Sequence, residues 1–85
     1  MPRPRLTRDD LHLSDLARLC AARRHGYVAV LWRDPRHPDS RLSLLRLERD
    51  EAAIRHHVDR DTLAECVVIP VTELLAEIGI ADPDE

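Results

Sequence analysis

The 85-residue sequence has no Lys, no Asn, no Gln and no Phe, and only two Gly and two Cys. Each scarcity excludes something. All 13 basic groups are Arg, a bias that GC-rich coding imposes, so it speaks of a bacterial or phage genome rather than of a function. The two glycines, Gly26 and Gly79, each stand where a helix would stop, which leaves no glycine-rich loop to cradle a phosphate. Cys20 and Cys66 are too far apart in sequence for a CxxC pair, and no charged n-region followed by an apolar stretch opens the chain. These features fit a cytoplasmic protein with reduced thiols. No apolar run approaches the roughly 18 residues that cross a bilayer, which argues against a membrane span or membrane partner. A chain this short holds one small core, not a large active-site scaffold.

The charge is unevenly spread. Residues 1–46 carry ten Arg against five acids, and residues 47–85 carry three Arg against eleven acids, giving +5 and −8 within a net −3. Separate basic and acidic poles would orient and speed encounter with a charged partner. The expected organisation is a basic tail over 1–5, extended by Pro2 and Pro4, one domain over 6–80, and an acidic tail over 81–85.

Within the domain, Thr7 and Asp10 have the spacing of a capping box and Leu6 and Leu11 that of a hydrophobic staple, with Ser14 as a competing start. A helix is expected over 8–25, with Leu13, Leu16, Ala17 and Cys20 inward and Gly26 ending it. The β-branched and aromatic run 27–33 reads as a central strand. The run 41–47 reads as its hairpin partner across the proline-stiffened loop 34–40. Its apolar phase flips at Leu44-Leu45, which predicts a β-bulge or burial of both faces.

Asp50 caps a helix over 51–58 with Ala53, Ile54, His57 and Val58 inward, and a new cap and turn is expected at Asp59-Arg60-Asp61. A short strand follows over 66–70, ended or placed at an edge by Pro70. The last helix spans 73–78, capped by Thr72 and closed by Gly79 and Ile80 in a Schellman ending. The α-β-β-α-β-α order predicts an α/β (α+β) two-layer sandwich on a small mixed three-stranded sheet, the second and third strands being parallel neighbours. A ferredoxin-like arrangement is the alternative and requires a strand before the first helix.

Chemistry-bearing constellations are sparse. His12, His25, His37, His56 and His57 show no HxxxH spacing, and the adjacent pair diverges by about 100° on a helix. No metal and no cofactor is expected. Cys20 and Cys66 fall at apolar positions, and Ser14, Ser40 and Ser43 read as cap, turn and outward strand residues, so no nucleophile is set in an elbow and no enzyme is expected. Arg33, Arg36 and Arg41 gather at the mouth and tip of the hairpin beside Trp32, and they form the candidate binding site. With only two aromatic rings, Tyr27 and Trp32, and a pI near 5.9, a nucleic-acid partner ranks below a protein partner. The expectation is therefore a small, non-enzymatic, regulatory protein-interaction module, such as an adaptor, inhibitor or antitoxin-like protein. A homodimer is favoured because a three-stranded sheet leaves two edges.

Overall fold

A computed structural model describes residues 5–80. The acidic tail, and the basic tail apart from Arg5, lie outside the described residues. Among the described residues four α-helices and three strands make a small α+β domain: α1 Leu13–Ala22, β1 Val28–Trp32, β2 Ser43–Glu48, α2 Glu51–His57, α3 Arg60–Ala64, β3 Cys66–Pro70 and α4 Val71–Glu77, with 3-10 turns at Arg8–Asp10 and Arg23–His25. No helix among the described residues is long and apolar enough to cross a membrane.

The strand order is β2-β1-β3, and β1 pairs antiparallel with both neighbours. The expected mixed sheet is thus corrected to an antiparallel one. β2 and β3 do run parallel, but β1 lies between them, so the α2–α3 connection crosses over a strand rather than to an adjacent one. The bulge falls where the phase flip put it. Arg46 faces Val30 and Leu44 faces Leu31, so Leu45 is the extra residue and stands 42% exposed.

Strand alternation sorts the sheet into two faces. Ala29, Leu31, Leu44, Leu47, Val67 and Ile69 share one face, and α1 and α4 cover it to form the main core with Leu19, Leu74 and Leu75. Val30 lies on the other face, yet it is fully buried, as is Ile54 of α2. The short α2 and α3, which contact β2 and β3, therefore roof that side. Burying a Leu or Ile side chain contributes about 1.5–3 kcal/mol, so this small roof matters to stability.

The first helix departs from expectation. The Thr7–Asp10 capping box forms, with the Thr7 N–H donating to Asp10 Oδ2 at 2.8 Å, but it closes only a 3-10 turn. Leu11 then leaves helical geometry, is buried, and makes a single parallel bridge to Leu42; α1 restarts after His12. The inward stripe is Asp15, Leu16, Leu19 and Ala22, while Leu13 is 84% exposed and Ala17 and Cys20 are exposed. The stripe of Leu13, Ala17 and Cys20 is equally apolar, but pinning Leu11 against Leu42 sets the helix phase and turns it outward.

Other ends follow the caps. Asp50 and Asp59 accept from the N–H groups of Ala53 and Thr62 at 2.8 Å, starting α2 and α3. The Asp59 carboxyl sits below its ordinary pKa because the Thr62 backbone N–H and hydroxyl both favour its charged form. His57 is exposed rather than inward, because the two-turn α2 presents only Ile54 fully to the sheet. α4 starts at Val71 with Pro70 as its cap, not at Thr72; the Val71 N–H closes the sheet ladder onto the Tyr27 carbonyl, 2.9 Å away. It ends in the expected Schellman pattern, with the Ile80 N–H on the Leu75 carbonyl, the Gly79 N–H on the Ala76 carbonyl and Gly79 at φ 84°.

The charged halves interleave. β1 pairs along its length with β3 of the acidic half, and the Leu6 N–H, Arg8 and Arg23 reach Glu77, Gly79 and Ile80. Along this boundary the basic and acidic halves do not form separate poles.

Candidate functional site

The loop after β1 is built by two consecutive turns. The His37 N–H donates to the Asp34 carbonyl and the Ser40 N–H to the His37 carbonyl, both at 2.9 Å, with Pro35 and Pro38 fixing the second residue of each. Asp34 Oδ1 accepts the Arg36 N–H at 2.9 Å and faces the Arg36 guanidinium at 3.5 Å. Arg36 therefore stands at the loop tip, exposed, with its own acid.

Arg33 and Arg41 turn the other way, onto the 3-10 turn. Arg33 Nη2 lies 3.3 Å from Asp10 Oδ1, and Arg41 Nε donates to the Asp9 carbonyl at 3.3 Å. The structure thus brings two of the three arginines to one segment and leaves Arg36 apart from it. Asp10 serves two partners with its two oxygens, Oδ2 to Thr7 and Oδ1 to Arg33. Sequence reading found only the first, because a capping box has a fixed local spacing and a contact across 23 residues has none.

Arg33 rims a cleft of about 290 Å³ whose other walls are Arg5, Leu6, Asp10, Leu42, Glu65 and Val67. Its floor is apolar and its rim alternates in sign. Trp32 projects from the opposite sheet face, and its indole N–H donates to Glu65 Oε2 at 3.3 Å, which ties the ring to a residue of the same cleft. Arg33 Nε is buried and has no acceptor among the described residues. An unmet buried donor costs about 1–3 kcal/mol, which offsets part of what the Arg33–Asp10 contact contributes.

A second cleft, about 450 Å³, is lined by Arg55, Val58, Arg60 and Leu63 of α2, α3 and the turn between them. It belongs to the chain's acidic half, where a net charge count hides a local pair of arginines. Cys66 donates its thiol to the Thr62 carbonyl at 3.2 Å; burial, and secondarily the Glu65 charge, push the thiol up from its ordinary pKa. Cys20 and Cys66 are both free. Among the described residues no three or more His, Cys, Asp and Glu side chains gather in a way that could hold a metal ion. No protein-family model, curated protein or solved structure matches this chain.

Proposed function

We propose that this chain is a non-enzymatic protein-interaction module that contacts a protein partner through Trp32, Arg33, Arg36, Arg41 and the adjoining cleft. The observation that carries the reading is the pairing of acids with these arginines, Asp10 with Arg33 and Asp34 with Arg36, beside a cleft that also has apolar walls. Asp10, Asp34 and Glu65 would repel a phosphate backbone, whereas a protein surface offers both signs together with apolar side chains. Arg and Trp are also the residues most often found at the centres of protein interfaces. The free thiols agree with a reducing, cytoplasmic setting.

The test is affinity capture from host lysate, with and without nuclease, by the native chain and by the Arg33→Ala, Arg36→Ala, Arg41→Ala triple variant. An Arg36→Ala, Arg41→Ala double variant keeps the Arg33–Asp10 contact and so guards against misfolding. A protein partner retained after nuclease and lost from both variants supports the reading. Recovery of DNA or RNA alone, with affinity falling steeply as salt rises, transfers the site to nucleic acid. Turnover of a substrate by the purified chain defeats both.

A further inference from the structure

The sheet has two edges, and they are treated differently. Along β2 the preceding chain lies against the strand: the Leu42 N–H donates to the Asp10 carbonyl at 2.7 Å, Leu11 bridges Leu42, and Asp15 Oδ2 takes the Leu44 N–H. The Leu45 bulge and the Arg46–Glu48 ion pair at 2.8 Å guard the strand further. β3 pairs only with β1 among the described residues and has none of these devices. Its sequence, Cys-Val-Val-Ile-Pro, carries no charge, and Val68 at its centre is 36% exposed.

The register shows which groups this edge offers. Because the Val71 N–H bonds the Tyr27 carbonyl, alternation makes Ile69 and Val67 the positions that exchange hydrogen bonds with Ala29 and Leu31. Cys66, Val68 and Pro70 then direct their main-chain groups away from β1. Pro70 falls on an outward position, so its missing N–H costs the ladder nothing.

We infer that a second copy of this chain adds at this edge, β3 against β3 and antiparallel, about a two-fold axis at Val68, so that two sheets become one. This register sets each Val68 opposite its mate and each Cys66 opposite Pro70 of the partner subunit. The outward N–H groups of Cys66 and Val68 each meet a carbonyl, giving about four inter-chain hydrogen bonds. Charge also favours a copy over a foreign charged strand. The groove beside Val68 is lined by Ile54 and Leu63 together with one acid and one base, Glu51 and Arg55, so a two-fold mate meets no field of a single sign. The inference is independent of the arginine site.

Sedimentation equilibrium over a wide concentration range, together with amide exchange, tests it. The expected mass is twice the 9.8 kDa of one chain, with the Val68 N–H protected in concentrated solution and exposed on dilution. Val68→Pro removes an outward donor without breaking a bond to β1, though it also fixes the local φ, and Val68→Lys places a charge on the edge; each should halve the mass while far-UV circular dichroism stays native. Val68→Lys decides if the proline variant unfolds, and the Val68 amide of the native chain decides if both do. A single-chain mass at every concentration, a Val68 amide indifferent to dilution, or a dimer surviving in either folded variant overturns the inference.

Discussion

The Asp15 carboxylate accepts a hydrogen bond from the backbone N–H of Leu44 at 3.1 Å, joining α1 to the bulged edge strand. Among the described residues Asp15 is the one charged residue that is buried, and Arg18, one turn along the helix, lies 3.7 Å from its other oxygen. A buried carboxylate is tolerated only with such partners. Replacing Asp15 by Leu leaves the Leu44 N–H buried without an acceptor and should cost about 1–3 kcal/mol. Asp15→Asn keeps an acceptor oxygen and should cost less. Urea unfolding of the two variants measures the difference, and equal losses would mean that the hydrogen bond is not the reason for this residue.

How far the sequence was legible follows from the range of each interaction. Features written in neighbouring residues could be read: the caps at Asp50 and Asp59, the Schellman closure at Gly79 and Ile80, and the bulge at Leu44-Leu45. The neighbour of β3 could not, because parallel direction relative to β2 is compatible both with adjacency and with a strand interposed. The long-range roles of Asp15 and Asp10 were hidden. Asp10 was legible only as a capping-box acid, while the partners across the fold, Leu44 for Asp15 and Arg33 for Asp10, come 29 and 23 residues later. At the candidate site the arginines were legible by type, and Asp34 lies close enough in sequence to Arg36 to be read with it, but the partner of Arg33, Asp10, was not.

The phase of α1 yields a direct test. Leu19 is fully buried, while Leu13, six residues earlier on the same helix, is largely bare. Leu19→Ala should destabilise by about 2–5 kcal/mol, and Leu13→Ala should stay within about 0.5 kcal/mol of the native chain. Thermal or urea unfolding reads both. The opposite order would restore the stripe of Leu13, Leu16, Ala17 and Cys20 as the buried one and would contradict the pinning of Leu11 against Leu42.

The two thiols should separate by rate. Alkylation by iodoacetamide proceeds through the thiolate, and Cys20 is exposed whereas Cys66 is part-buried, with its thiol donated to the Thr62 carbonyl. Burial, and after it the neighbouring Glu65 charge, hold Cys66 above the ordinary thiol pKa of about 8.5. At neutral pH Cys20 should therefore be labelled first, and the rate–pH profile of Cys66, followed in a Cys20→Ser background, should have its midpoint above that value. The same shift has a defined sign in stability. The fold favours the neutral thiol, so what Cys66 contributes is complete below the ordinary thiol pKa and declines as pH rises past it. Mass spectrometry of the labelled chain follows both sites at once; a Cys66 labelled as fast as Cys20 at pH 7 would show that the Thr62 hydrogen bond and the burial around this thiol do not protect it.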